Sequence, residues 1–207
     1  METFESIRRS ARLRRRALRA VALAALLGVA ASGARADIDA GRELAKQVCA
    51  ACHGADGNSQ SNQFPVIAAQ TYRYLTIELR DFKAGRRKDP MMSVVAQTLS
   101  PEDIVNLAEY FSAQKYKLID FKADQARVDR GRAKAAETLC TMCHLGEFSG
   151  SNEVPRVAGQ YPEYIQKQLA AFKTHTRTND AGTMTSVAGT LADEDIVDLS
   201  HYIANLP

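Results

Sequence analysis

The chain has 207 residues, 45% hydrophobic and 25% charged, with four cysteines, no tryptophan and a formal net charge of +3. A chain of this size holds one medium domain or two small ones, and the composition is neither collagen-like nor disordered. The positive balance is local: eight arginines stand against Glu2 and Glu5 near the N-terminus, and the rest carries about −3, which removes the compositional support for nucleic-acid binding.

The first segment reads as an address. Arg8, Arg9, Arg12, Arg14, Arg15, Arg16 and Arg19 precede an apolar run from Ala20 to Ala31, and Ala34-Arg35-Ala36 supplies a small-x-small cleavage signature. Residues 1–36 are therefore expected to be a signal peptide, with a mature chain beginning at Asp37. The apolar run is about a dozen residues, short of the ~20 that span a bilayer, so no transmembrane helix is expected after cleavage.

A helix is expected over Asp39 to Val48, running into Cys49-Ala50-Ala51-Cys52-His53; a second over Ala126 to Leu139 runs into Cys140-Thr141-Met142-Cys143-His144. Two thiols separated by two residues can each add across a vinyl group of a porphyrin, and the histidine that follows then lies under the iron. Cys49, Cys52, Cys140 and Cys143 are thus the expected covalent anchors of two haem c groups, with His53 and His144 as axial ligands. Zinc is the competitor, since paired Cys-x-x-Cys with a nearby His is also ligand spacing. A zinc site does not require histidine directly after the second cysteine in both copies.

The repeat extends well beyond these motifs. Phe64-Pro65-Val66-Ile67-Ala68-Ala69-Gln70 is echoed by Val154-Pro155-Arg156-Val157-Ala158-Gly159-Gln160. Middle helices are expected from about Thr71 to Ala84 and from Pro162 to Thr174, with Tyr74, Leu75, Ile77, Leu79 and Phe82 mostly on one side of the first. Final helices begin at Ser100-Pro101-Glu102-Asp103, with an N-cap serine and proline at the first position, and near Asp193. The expected organisation is all-α: two tandem units of about three helices around a covalent haem, at 37–114 and 125–207. Residues 115–124 join them, and Tyr116, Leu118, Ile119 and Phe121 suggest a strap packed on the surface rather than a free tether. Units of about 80 residues are marginal for a purely hydrophobic core, and a haem would supply the apolar centre.

A sixth ligand decides whether a haem carries electrons or binds substrate. Counting back from Leu191 puts Met184 where Met92 stands relative to Leu99, while Met91 falls opposite Thr183. Met92 and Met184 are therefore chosen, in loops expected to be poor in helix, over the core-filling role common for methionine. His175, where the first copy has Gly85, and His201 are read as solvated surface residues. The carbonyls of Pro65 and Pro155 are placed to accept the imidazole N–H of His53 and His144. Arg87 and Arg177, equivalent by the same count, are candidates to pair with haem propionates.

Through Cys49, Cys52, His53 and Gly54, Pro65, Gln70, Tyr74, Phe82, Gly85, Arg87, Met92 and Glu102-Asp103-Ile104, most of them repeated, the chain resembles the dihaem cytochromes of the cytochrome c4 family. It departs locally, with Leu145 after His144 and His175 in place of glycine. The resemblance implies a periplasmic electron-transfer protein, commonly serving a terminal oxidase, with redox proteins as partners and no nucleic acid. The alternatives are a cytochrome subunit of a dehydrogenase such as a sulfide-oxidising flavoprotein and, against the doubled methionine, a dihaem peroxidase.

Overall fold

The computed structural model describes residues 36–207. The leader reading falls on residues outside that range, Ala36 excepted. The described chain is helical, with ten α-helices in two matching sets, a five-residue π turn and one isolated bridge between Ser151 and Val154. None of these helices is long and apolar enough to cross a membrane.

In the N-terminal half, α1 (Ile38–Leu44) continues through the π turn Ala45–Cys49 into α2 (Ala50–His53), followed by α3 (Tyr72–Lys83), α4 (Met92–Thr98) and α5 (Pro101–Ser112). In the C-terminal half, α6 (Gln125–Glu137), α7 (Cys140–His144), α8 (Pro162–Lys173), α9 (Thr183–Gly189) and α10 (Asp193–Ala204) repeat the order. The long expected helices are present. The methionine segments differ from expectation: Met92 and Met184 sit on short helices rather than loops. A seven-residue helix shows no legible periodicity, and its start comes from a side chain instead. Asp89 accepts the Met91 and Met92 amides at 3.1 and 3.2 Å, and Asp180 accepts the Thr185 amide at 2.6 Å.

α5 begins on a full capping box: Ser100 Oγ accepts the Asp103 amide at 3.0 Å, and Asp103 accepts the Ser100 amide at 2.8 Å. α10 begins at Asp193 itself, so its cap lies one residue before the expected one. Its N-cap is Ala192, which has no side-chain acceptor, so only the return bond survives, with Asp195 accepting the Ala192 amide at 2.8 Å.

Each half builds its own core. Leu75, Leu99, Ile104, Leu107 and Phe111 cluster in the first, and Phe148, Ile165, Leu191, Ile196 and Leu199 in the second. In each, the first helix crosses the last at contact distance because Gly41 and Gly131 lack a side chain. A Cβ there would fall on the main-chain carbonyl of Asn106 or Asp198. The connecting segment is a strap, as expected. Asn58 donates to the Lys115 carbonyl at 3.0 Å and accepts the Lys117 amide at 2.8 Å, Tyr116 donates to the Gly159 carbonyl at 3.0 Å, and Ile119 and Phe121 pack on the second core. His201 is not the solvated residue expected. Its Nδ1 accepts the Asp124 amide at 3.2 Å and its ring meets Phe121 edge-on at 5.2 Å, which ties the strap to α10.

Candidate haem-attachment sites

Both Cys-x-x-Cys-His motifs form short helical turns, which bring the second thiol and the histidine round from the first thiol. They are reached differently. The first helix widens through the π turn and carries straight into Cys49. The second ends at Glu137, and Leu139, in the left-handed conformation at φ 56°, restarts the chain at Cys140. None of the four cysteines is in a disulfide; Cys49, Cys52 and Cys140 are half-buried and Cys143 is exposed. Burial first, and the neighbouring Cys52 second, push the Cys49 thiol up to about 11.

The proximal histidines are held identically. His53 Nδ1 lies 2.9 Å from the Pro65 carbonyl and His144 Nδ1 2.9 Å from the Pro155 carbonyl. A carbonyl only accepts, so Nδ1 carries the proton and Nε2 keeps its lone pair. Burial lowers the pKa of both rings, outweighing the carbonyls and, at His53, Asp89, so each is held neutral. Neutral imidazole presenting Nε2, beside two free thiols, is the donor set that a covalent haem requires. Among the described residues no group of three or more His, Cys, Asp or Glu side chains converges to hold an ion.

Met92 and Met184 occupy equivalent places, each half-buried, Met92 at the first position of α4 and Met184 at the second position of α9, which starts one residue earlier in the repeat. Met91 is 53% exposed, and Thr183 opposite it is exposed too. Downstream the register holds, with Ala96 and Ala188 buried, then Leu99 and Leu191.

The two arginines that were candidates for propionates are instead committed to one cluster built from both halves. Arg87 reaches Glu78 at 2.6 Å, Tyr164 at 2.8 Å and Gln168 at 2.9 Å. Arg177 reaches Glu78 at 2.8 Å, Tyr74 at 3.1 Å and Gln168 at 2.8 Å. Each guanidinium also lies over a phenylalanine, Phe82 or Phe172, at 4.6 and 4.4 Å. Burial opposes both charges, but neighbouring tyrosines and Glu78 prevail and raise both arginine pKa values. Sequence reasoning missed this cluster. Its trace was present: Tyr74, Glu78 and Phe82 recur every fourth residue along one face of α3, with Tyr164, Gln168 and Phe172 at the same places in α8.

The halves also exchange main-chain bonds through a matched pair of amides. Gln160 accepts the Val66 amide at 2.9 Å and donates to the Val66 carbonyl at 2.8 Å; Gln70 accepts the Arg156 amide and donates to its carbonyl, both at 2.8 Å. Val66 and Arg156 immediately follow the prolines that hold the histidines, so one contact fixes both the ring tethers and the mutual placement of the halves.

The cytochrome c family model matches residues 38–115 and again 128–207. Cytochrome c4 of Pseudomonas aeruginosa is 40% identical over 184 residues, covering 84% of this chain and 90% of that protein. The thiosulfate dehydrogenase electron acceptor of Stutzerimonas stutzeri is 30% identical over 207 residues, covering 90% and 92%. Among solved structures, reduced recombinant cytochrome c4 from Pseudomonas stutzeri superimposes with a TM-score of 0.78 at 36% identity, covering 84% of this chain and all of that one. Thiosulfate dehydrogenase TsdBA from Marichromatium purpuratum superimposes at 0.73 and 31%, covering 83% of this chain and 40% of that one.

Proposed function

This chain belongs to the cytochrome c4 family of dihaem c-type cytochromes, and we propose that it carries electrons through the periplasm toward a terminal oxidase, with His53 and Met92 on one iron and His144 and Met184 on the other. It is an electron-transfer protein with two covalently bound haem c groups, each attached through one of its cysteine pairs. The haems supply one-electron chemistry; the chain's own residues hold them, fix the histidine tautomers and limit the approach of water.

The observation that carries the ligand assignment is the equivalence of Met92 and Met184: the same half-burial, on corresponding short helices, each five to seven residues past a buried arginine. A methionine in both halves leaves neither iron open to a small substrate, which favours a carrier over a peroxidase. The reading includes cleavage of residues 1–36 and units at 37–114 and 125–207 joined by 115–124.

Intact mass should show two haems on a chain starting near Asp37. Met92→Ala and Met184→Ala should each remove about half of the sulfur-to-iron charge-transfer absorption and open one carbon monoxide site. If Met91→Ala does so and Met92→Ala does not, the first assignment is wrong. Reduced protein mixed with a detergent-solubilised terminal oxidase should be oxidised rapidly, and by peroxide only slowly without saturation. The resemblance to thiosulfate dehydrogenase electron acceptors favours a second reading, in which electrons arrive from a sulfur-oxidising dehydrogenase. Reduction by such an enzyme with thiosulfate tests it directly.

A further inference from the structure

Between its middle helix and its methionine, each half carries a short segment, and polar side chains of both segments reach across to the other half. Asp89 does so in the first. Its Oδ1 accepts the Met91 and Met92 amides that start α4, and its Oδ2 accepts from Lys167 on α8 at 3.1 Å. Asn179 does so in the second, donating to Asp81 at 2.7 Å and to Glu78 at 3.1 Å, both on α3. The next residue is Asp180, which holds the first turn of α9 through the Thr185 amide and hydroxyl at 2.6 and 3.0 Å. Helices of seven residues are too short to be stable alone, so their positions follow from packing and from whatever holds their first turns.

Inheritance from the repeat does not explain this arrangement. By the count that aligns Tyr74 with Tyr164 and Phe82 with Phe172, Lys167 stands opposite Ile77, and Asp81 stands opposite Ala171. A copied contact would be made by the same residues in both halves. Here an ion pair makes one crossing, with the Lys167 side chain 64% exposed, and a carboxylate–amide bond makes the other, with the Asp81 side chain 8% exposed. What the two crossings share is their destination: each runs from the middle helix of one half to the start of the methionine helix of the other.

We propose that each middle helix positions the axial methionine of the opposite half: Lys167 steadies Met92 through Asp89, and Asp81 steadies Met184 through Asn179 and Asp180. The proposal rests on the ligand assignment above. These are positioning residues, acting only by keeping a thioether in place. When such a contact is lost, the sulfur is held less firmly and a competing ligand gains. Each sixth bond therefore depends on the half that holds the other haem.

The test titrates the oxidised, haem-loaded full chain with imidazole, which competes with methionine for the sixth position. Displacement at each iron is followed by NMR through the methyl signal of its methionine, assigned with Met92→Ala and Met184→Ala. Lys167→Ala should raise imidazole affinity about threefold at the Met92 iron and leave the Met184 iron unchanged, whereas Lys167→Arg, which keeps the charge, should behave as wild type. Asp81→Asn should do the converse, with a rise of about three- to tenfold at the Met184 iron alone. Its one amide oxygen stays with Arg86, which reaches Asp81 at 2.6 Å, and its NH2 group turns a donor on Asn179. Lys167 is largely exposed and Asp81→Asn keeps the side chain's shape, so both variants should fold, as thermal denaturation will check. An effect on the iron of the substituted residue's own half, on both irons equally or on neither overturns the proposal, and so does an equal loss with Lys167→Arg. A wild-type protein without two methionine methyl signals refutes the ligand assignment, and this proposal falls with it.

Discussion

Where the chain meets its first attachment cysteine, the two halves solve one problem in different ways. The N-terminal half widens its helix into a π turn and follows His53 with Gly54 at φ 78°. The C-terminal half breaks its helix and places leucines on either side of the motif at positive φ. Gly54 is required by its surroundings, since a Cβ there would lie 2.7 Å from the Asn58 carbonyl oxygen. Leu145 is accommodated because the loop after His144 takes another course, with the Gly150 amide donating to the His144 carbonyl at 2.8 Å. The same contrast appears after the middle helices. Gly85 at φ 71° and His175 at φ 58° end α3 and α8 in one left-handed turn, and nothing lies within 4 Å of the Cβ position at Gly85. Backbone shape is thus kept across the repeat even where the residue suited to it is not, provided the side chain has open space.

The sharpest break in the pseudo-symmetry is Glu78 against Gln168, and substitution there should have the largest effect. Glu78 is 10% exposed at its side chain and faces two guanidiniums at 8% and 9%. Glu78→Ala strands both charges and should cost about 3–5 kcal/mol, whereas Gln168→Ala removes neutral acceptors and should cost about 1–3 kcal/mol, by thermal denaturation of the holoprotein. Equal losses would mean that the carboxylate charge does not matter. Next in size is Gly54→Leu, expected to destabilise by about 2–3 kcal/mol because it adds a clash to left-handed strain, while Leu145→Gly should be neutral or stabilising.

Acid should separate the halves as well. Where α1 crosses α5, Asn106 accepts the Asp37 amide at 2.8 Å. The matching crossing of α6 and α10 uses Asp198, held by Arg130 at 2.6 and 2.9 Å and by Arg127 at 3.0 Å. The Arg130 hydrogen bond, with Arg127 adding to it, holds the Asp198 carboxyl below the ordinary carboxylate range against the opposing effect of burial. A pKa depressed by folding contributes stability above the unfolded-state value, and that stability is lost as pH falls through the folded-state value. Amide exchange below the ordinary carboxylate range should therefore open the α6–α10 pair before α1–α5, and Asp198→Asn should remove the difference. The smallest expected effect is His175→Gly, a gain of about 1 kcal/mol from relief of the left-handed residue, with both haem spectra unchanged.

Much of this was legible before any coordinates. The attachment motifs, the proline carbonyls behind both histidines, the Ser100 cap and the register of Met184 with Met92 all depend on residues close in sequence or on the repeat. The short methionine helices were not, because one aspartate starts each of them and seven residues show no period. The destination of Arg87 and Arg177 was also hidden. An arginine just ahead of a ligand segment looks like a propionate partner when one half is read alone; its actual partners lie up to 103 residues away, across the contact between the halves.

The crossed amides of Gln70 and Gln160 are what two identical subunits would make around a two-fold axis, each giving what it receives. A true homodimer would have to set either two glutamates or two glutamines beside the paired arginines. The first choice forces two carboxylates together, and the second leaves two buried cations without a counter-charge. Covalent duplication removes that dilemma, since a single chain can place one acid and one amide on its own axis. The interface of this molecule has taken a charge state that no symmetric assembly of either half could adopt.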